Sequence, residues 1–529
     1  MKGSRLERRL ERDFGRIPDP YYAGGDMEYI RSYFDWRRGA GRDSFLLDEI
    51  TWNDLDLDRV FRRINPALST SGEQYLYYML RSPAIEAEVY AGRQSTIALM
   101  EKKPGLRLKL QVILARLGCT RRADLTRAFA PSAGSYFWLI VYLVLLLLVP
   151  ATLIYTAFAP QLRMLFLMLV FIVNSSVHEF RKREIQRDLD TVNYSVRMVF
   201  AMNRIRSLQD PELDVQLQAA YERLDRLRSV VRIGGVSTAS DDAFGGLLLM
   251  VLLLDLITYE LLKHKLGRHH EDIFRIHEHL GKLDAGIAIA SYRQSLGHYA
   301  IPELDFTPQA TPHIEAQQMV HPLLENAVPN DLSTSGPLLI TGSNASGKST
   351  YLKTAALCAV LAQSICTCPA ASYKASAFRI YSSMALKDNV LAGESYYIVE
   401  TKSLKRILDN CAALPPIFCV IDEVLRGTNT VERIAASSVV LRELAERGAI
   451  CLAATHDIEL CDLLQDDYAL FHFSETVTRN EMHFDYRIRP GRATSRNAIN
   501  LLRILGFDDG IVDSAHQRAD HYIKSGVWK

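Results

Sequence analysis

The sequence has no charge excess of either sign, because 62 lysine and arginine residues are balanced by 61 aspartate and glutamate residues. Proteins that bind nucleic acid mainly through phosphate contacts are usually basic, so any DNA contact here would need a local basic patch. Residues 1–16 also lack the apolar core of a secretory signal and are rich in arginine and glutamate. We therefore expect residues 1–45 to form a charged, helical N-terminal segment.

Paired cysteines are missing as well. None of the eight cysteines has the C-x-x-C spacing of a zinc site, and Cys366 and Cys368 are too close for a relaxed disulfide. We expect reduced thiols and a cytosolic environment for them. The length of 529 residues and a hydrophobic content of 48% allow two or three domains with sizeable cores.

A glycine-rich loop in residues 338–350, LLITGSNASGKST, is the strongest local pattern. Such a loop binds phosphate through its backbone N–H groups and the lysine ammonium, while the serine hydroxyl after the lysine holds Mg²⁺. The eight-residue pattern can arise by chance before a surface helix, but a buried strand precedes it and an apolar helix follows it here. The predicted nucleotide-binding residues are Gly342, Ser343, Asn344, Ala345, Ser346, Gly347, Lys348, Ser349 and Thr350.

Two further apolar strands end in chemically active side chains. Residues 417–421 lead into Asp422 and Glu423, and residues 449–454 lead into His456. In nucleotide hydrolases the first acid helps to hold Mg²⁺ and the second polarises the attacking water. A lone histidine is more often structural than catalytic, but one at the carboxyl edge of a parallel sheet favours a functional role.

These stretches together resemble the ATPase domain of the MutS family. The resemblance implies an α/β P-loop ATPase domain of the ABC class that binds ATP and Mg²⁺, with Ser349 and Asp422 at the metal, Glu423 as the base and His456 as the γ-phosphate sensor. The matching residues are 342–350, the pattern D-E-x-x-R-G-T-x-T at 422–430, and Ala-Thr-His at 454–456, with weaker similarity at 321–323, 328–331, 486–491 and 506–507.

ATPases of this family act as dimers in which a signature segment of one subunit completes the site of the other. The corresponding stretch here is residues 388–400, in which Ser395 is similar to the serine that contacts the γ-phosphate in trans. The better-known members read Gly-x-Ser-Thr-Phe-Met where this chain reads Gly-Glu-Ser-Tyr-Tyr-Ile. The resemblance therefore implies a homodimer with a composite site, in a divergent branch. Without the resemblance, an ordinary surface helix after residue 395 would be an equal interpretation.

The N-terminal half resembles the helical core and lever of the same family more loosely. We expect an all-α region made of a first part at 46–130 and a lever at 178–305, followed by the ATPase domain at 306–529. The pattern Ser-Thr-Ser-Gly at 69–72, the pair Arg93-Gln94 and the stretch Lys-Leu-Asp at 282–284 carry this resemblance. Apolar residues at helical spacing support it independently.

An apolar insertion at 136–177 separates these two helical parts. Residues 137–158 hold no charged side chain and would extend about 33 Å as a helix, enough to cross a hydrocarbon core of about 30 Å. Residues 162–177 are shorter and begin with Arg163, so they either span as well or form a re-entrant or interfacial segment. Basic residues outside both runs place both termini and the ATPase on the cytoplasmic side of a transmembrane hairpin in an integral membrane protein.

A third apolar run at 245–254 covers only about ten residues, which favours a buried helix over a membrane span. An odd number of membrane crossings would also place the helical parts before and after the insertion on opposite sides of the membrane, although both have to pack with one ATPase domain.

We expect no counterpart of the family's mismatch-reading module before residue 46, and no DNA clamp of the usual size between residues 262 and 273. Two functions are therefore open. One is a membrane-tethered ATPase in DNA mismatch repair that binds mismatched DNA. The other is a mechanochemical ATPase that acts on a membrane or an unidentified protein partner without binding DNA.

Overall fold

The computed structural model describes the chain except for residues 1–3, 19–21, 23–24, 42, 121–124, 129–135, 159–162, 229, 231–232, 234–249, 308–309, 344–345, 385–395, 478–481, 494–497, 505 and 528–529. The chain divides into two compact units, each built from separate stretches. Unit 1 comprises Met1–Arg42, Ile64–Tyr78 and Ser95–Gln294, and unit 2 comprises Asp43–Arg63, Met79–Gln94 and Ser295–Lys529. The sequence-based segment at 46–130 thus contributes residues to both units.

Unit 1 is helical in its described residues. Its helices are α1 (Arg5–Asp13), α2 (Asp26–Gly39), most of α5 (Thr70–Arg81), the end of α6 (Ala87–Lys102), α7 (Pro104–Leu117), α8 (Leu125–Ala128), α9 (Phe137–Phe158), α10 (Arg163–Arg206), α11 (Pro211–Arg226), α12 (Leu254–Arg268) and α13 (His270–Ser295). The expected N-terminal helix is two helices, the first of which begins with a Ser4 and Glu7 capping box.

Helix α13 is buried along nearly its whole length and forms the core of unit 1. It packs closely on α5 because Gly281 has no side chain: a Cβ there would lie 2.6 Å from the Cβ of Tyr75. One turn further, Asp284 accepts hydrogen bonds from the backbone N–H and the hydroxyl of Ser69, at 2.8 and 2.5 Å. The carboxyl group therefore caps the N-terminus of α5 from another helix.

Helices α9 and α10 pack on each other and expose a continuous set of apolar side chains. Within the described residues, one stretch, Phe137–Tyr155, is long and apolar enough to cross a membrane, and only 11% of it is buried. The second expected span, 162–177, is not a separate helix. Its described part forms the beginning of the 44-residue α10, since nothing between the apolar and the charged parts breaks a helix.

The third apolar run lies only partly in the described region, because residues 245–249 are outside it. Leu253 is fully buried, as expected for a buried element, and adopts a left-handed conformation just before α12 begins. The carbonyl of Val251 accepts a hydrogen bond of 2.8 Å from the side-chain amide of Asn174 on α10. The backbone of this bend is thereby paired away from solvent.

Unit 2 is an α/β unit with two sheets. Its strands are β1 (Glu303–Asp305), β2 (Ile314–Met319), β3 (Asn330–Thr334), β4 (Leu338–Thr341), β5 (Ser372–Ser376), β6 (Arg379–Ser383), β7 (Ile417–Asp422), β8 (Ile450–Thr455), β9 (Ala469–Val477) and β10 (Met482–Pro490). Its helices are α3 (Glu49–Asp54), α4 (Leu57–Ile64), α14 (Lys348–Ile365), α15 (Tyr396–Asp409), α16 (Thr430–Glu446), α17 (Glu459–Leu464), α18 (Ala498–Ile504) and α19 (Asp509–Ser525).

The larger sheet positions the site. Its order is β10-β9-β4-β8-β7-β6, and all neighbours are parallel except the β9 and β10 pair. Strands β4 and β8 are buried at every position, as expected for apolar runs in a parallel sheet covered by helices such as α14. The register pairs Thr341 with Thr455 and Asp422 with Ala454, so β4, β7 and β8 end at one edge. The smaller sheet has the order β1-β5-β2-β3.

Candidate functional site

The glycine-rich loop leaves β4 and enters α14 as the sequence predicts. Gly342 and Gly347 have φ values of 141° and 106°, in the left-handed region that side chains disfavour. A Cβ on Gly342 would also lie 2.9 Å from the carbonyl oxygen of Phe473. The Ser346 hydroxyl donates a 2.7 Å hydrogen bond to the Ser343 carbonyl across the loop. Asn344 and Ala345 lie outside the described residues.

Lys348 is the first residue of α14 and its ammonium turns back into the loop. Its Nζ donates to the carbonyl oxygens of Gly342 and Ser343, at 2.6 and 2.8 Å. Burial is the largest influence on its pKa and lowers it, while Glu423 and Asp422 oppose that shift. A cation thus lies inside a loop at a helix N-terminus, the arrangement that attracts phosphate oxygens.

Asp422 ends β7 beside this loop, next to Ser349. Burial raises the pKa of its carboxyl group, and a hydrogen bond with Ser349 opposes the shift. Its Oδ1 atom is buried and has no hydrogen-bond partner among the described residues. A buried carboxylate oxygen without a partner is costly, and a divalent cation would satisfy it. The Asp422 carboxylate and the Ser349 hydroxyl are oxygen donors of the kind that Mg²⁺ prefers.

Glu423 is held by a guanidinium group and an imidazole ring. Its carboxylate forms an ion pair with Arg426, and its Oε1 lies 3.6 Å from Nδ1 of His456. The contact with His456 is the main cause that lowers the pKa of Glu423, and it raises the pKa of His456 in turn. Glu423 therefore stays ionised near neutral pH, as a residue that polarises water must. Its φ of 57° is left-handed although it carries a side chain.

His456 is placed by a contact that the sequence reasoning missed. Arg433 on α16 forms a two-pronged ion pair with Asp457, at 2.9 and 2.6 Å, and Asp457 directly follows His456. Asp457 also approaches the other ring nitrogen, with its Oδ1 3.9 Å from Nε2. The sequence gives no signal for this pair, because the partners are 24 residues apart and neither belongs to a recognised motif.

A cavity of about 180 Å³ opens beside the loop. Gly347, His321 and Tyr486 form part of its wall, so the weaker matches at 321–323, 328–331 and 486–491 converge on the phosphate loop. Burial lowers the pKa of His321 to about 4, which keeps its ring neutral. The side chain of Asn330 fixes Tyr486, since it donates to the Tyr486 carbonyl at 2.9 Å and accepts from the N–H of Ile488 at 2.9 Å. The cavity suits a flat, uncharged ring.

Ser395, the residue assigned to act across a dimer, lies outside the described residues. Helix α15 begins at the next position, Tyr396, close to the expected start. A second contact missed from sequence is that of Glu475, whose Oε2 accepts a 3.3 Å hydrogen bond from the Ser343 hydroxyl of the loop. Because β9 joins β4 only through folding, this acid could not be located from the chain order.

The same part of the chain is similar to known proteins. Residues 338–522 match the family model of MutS domain V. The chain is 35% identical over 208 residues to the DNA mismatch repair protein MutS of Natronomonas pharaonis, a match that covers 37% of this chain and 24% of that protein. It is 34% identical over 220 residues to the DNA mismatch repair protein MutS 2 of Halobacterium salinarum, covering 39% and 25%.

A third relative is the DNA mismatch repair protein msh3 of Aspergillus niger, which is 30% identical over 261 residues, covering 45% of this chain and 22% of that protein. The chain thus spans about a quarter of the length of the relatives it matches. The C-terminal α/β region is thus similar to domain V of the MutS family.

Proposed function

We propose that unit 2 binds ATP with Mg²⁺ and hydrolyses it. The observation that carries the proposal is the meeting of the Lys348 ammonium, inside the loop, with the unsatisfied buried oxygen of Asp422 and the ionised Glu423 at one sheet edge. The neighbouring cavity, with its neutral His321 and its Tyr486 wall, would take the base.

Each residue then has a distinct role. The loop N–H groups and Lys348 bind the phosphates, and Glu423 orients and polarises the attacking water. Asp422 and Ser349 would hold Mg²⁺, which neutralises charge on the phosphate oxygens when it is bound. His456, positioned through Arg433 and Asp457, would contact the γ-phosphate.

The test is the variant Glu423→Gln, which keeps the shape of the side chain and removes its charge. We expect turnover to fall roughly 100-fold or more, the range for loss of a general base, with ATP affinity unchanged. The matched control is Glu443→Gln, since Glu443 is partly exposed on α16 and pairs with Arg447, four residues further along the helix. Unchanged hydrolysis in Glu423→Gln would remove Glu423 from this role.

We also propose that the enzyme works as a homodimer in which Ser395 completes the partner's site, and that ATP turnover moves the helices of unit 1. The support is the resemblance of residues 388–400 to the signature segment of the family; the last five of these residues begin α15. Sedimentation of the Glu423→Gln variant with and without ATP tests it: a dimer that forms only with ATP is expected, and a monomer in both conditions would contradict it.

Anchoring in a membrane is the third part of the proposal, and the exposed apolar surface of α9 and α10 supports it. Near the beginning of α9, the guanidinium of Arg181 lies 4.0 Å over the ring of Trp138 and donates to the hydroxyl of Tyr142 at 2.9 Å. Tryptophan, tyrosine and arginine are typical of the membrane interface. From residue 181 back to 163, α10 rises about 27 Å, close to the thickness of a hydrocarbon core.

The output of the ATPase has two candidates. The names of the relatives favour DNA mismatch repair, whereas the balanced charge favours a mechanochemical ATPase that acts on a membrane or protein partner. A gel-shift assay across salt concentrations with homoduplex, mismatched and branched DNA separates them. Binding that weakens steeply with salt supports the first candidate, and no binding at low salt supports the second.

A further inference from the structure

The turn that follows Glu423 is built around a second buried carboxylate. Glu423 and Leu425 both have left-handed φ values, 57° and 58°. Alternation of this kind turns successive backbone N–H groups to one side, where they attract an anion. The anion here is the side chain of Glu400 on α15, whose Oε1 accepts a 3.3 Å hydrogen bond from the N–H of Arg426.

The electrostatics of Glu400 agree with this geometry. Only 4% of the residue is exposed, and burial, the largest influence, raises the pKa of its carboxyl group. The N–H groups of Arg426, Leu425 and Gly427 oppose that shift. A buried carboxyl group facing three backbone N–H groups favours a single position of the turn.

A close approach fixes the same turn from its other end. A Cβ on Gly427 would lie 2.8 Å from the Cβ of Tyr397 and 3.1 Å from its Cα, both on α15. The φ of Gly427 is not left-handed, so alanine is excluded there by space and not by backbone conformation. The turn is therefore held against α15 at two points, Glu400 and Gly427.

The turn carries Arg426, and the side chain of Arg426 forms the ion pair with Glu423. We propose that Glu400 is a positioning residue for ATP hydrolysis: it anchors the 425–427 turn to α15 and thereby fixes how Arg426 aligns the carboxylate of Glu423. The inference rests on the proposed ATPase function and deepens it. Helix α15 begins directly after Ser395 in the chain, so a shift of this helix on dimerisation would reach Glu423 through the same turn.

The test uses the full-length protein and the variant Glu400→Gln. The amide keeps the side-chain size and one acceptor oxygen, but it cannot carry a negative charge and its NH₂ group cannot accept from the N–H groups of the turn, so the anchor is weakened. We expect kcat to fall roughly tenfold to 100-fold, as for a misplaced catalytic group, with the KM for ATP within about twofold of the wild type. The control is again Glu443→Gln, which should leave both constants unchanged.

Gly427→Ala is the second variant, because it displaces the turn from its other end without altering any charge. We expect the same fall in kcat. Combined with Arg426→Ala, neither variant should lower kcat further, because both act through Arg426.

A wild-type kcat in Glu400→Gln would overturn the inference. A lower melting temperature and a raised KM, with a further fall in kcat when the variant is combined with Arg426→Ala, would also overturn it, because Glu400 would then only support the fold. Failure of the proposed function would look different. The wild-type protein would then hydrolyse no ATP, or the Glu423→Gln variant would hydrolyse ATP as fast as the wild type.

Discussion

The buried carboxyl group of Asp284 makes the stability of unit 1 depend on pH in an unusual direction. Burial raises its pKa from the ordinary 3.8 to about 7, although the N–H groups of Leu68 and Ser69 and the Ser69 hydroxyl oppose the shift. Between these two values the folded chain keeps a proton that the unfolded chain has lost. Stability contributed by this group is therefore present at low pH and is lost as pH rises towards 7.

The size of the effect follows from the shift. A rise in pKa from 3.8 to about 7 corresponds to a change of roughly 4 kcal/mol in the free energy of unfolding between these two pH values. In Asp284→Asn the side chain cannot ionise, and its carbonyl oxygen can still accept from Ser69. We expect the variant to be less stable than the wild type near pH 5. The difference in stability should then shrink steadily up to about pH 8.

Thermal unfolding of the full-length protein at half-unit pH steps measures this difference. The quantity compared is the change in melting temperature between variant and wild type, because other acids contribute equally to both. Asp225→Asn is the matched control, since Asp225 is exposed on α11 and Arg206 lowers its pKa. If the wild type and Asp284→Asn show the same dependence on pH, Asp284 does not titrate in this window and the reasoning fails.

Three further outcomes are expected. His456→Ala should shift the acid limb of ATP hydrolysis to higher pH in a pH profile, because the histidine is the main group that lowers the pKa of Glu423; an unmoved limb would contradict the pairing. Gly342→Ala should weaken binding of a fluorescent ATP analogue roughly tenfold, since strain at a left-handed position costs about 1–3 kcal/mol; wild-type affinity would contradict this. Leu147→Arg should move protein from the membrane to the soluble fraction, because a charge in mid-span costs about 3 kcal/mol, whereas Val215→Arg, exposed on α11, should not.

The phosphate loop could be read from the sequence because all its parts are local. A strand, two glycines, a lysine and a helix follow one another within residues 338–365, and each has a fixed structural requirement. The ends of β7 and β8 could be predicted to meet the loop because parallel strands share an edge. The contacts of Arg433 with Asp457, and of Glu400 with the 425–427 turn, depend on packing between elements and have no local pattern.

Residues 69–72 carry part of the resemblance to the family, and the physical reason for the glycine in this stretch appears only in the fold. A Cβ on Gly72 would lie 2.2 Å from Oδ2 of Asp284, so the glycine and the aspartate require each other across 212 residues of chain. Both were singled out as separate helical patterns, and their contact could not be predicted. The division into two units was missed for the same reason, because α5 and α6 each contribute residues to both units.

The continuity of α10 limits how the proposed ATPase could transmit movement. The helix has 44 residues and rises about 66 Å without a break, from the apolar hairpin to the part that packs on α7, α8, α11 and α12. If its first turns are fixed in a bilayer, the helices packed on its later turns cannot rotate about that anchor unless α10 bends or tilts. Helix α10 has no proline, glycine or π-bulge, so the serine pair at 175–176 is its one site of the kind at which helices bend sharply. The proposed movement of the unit 1 helices is therefore expected to tilt α10 and the packed α9 in the membrane, or to bend α10 at this serine pair.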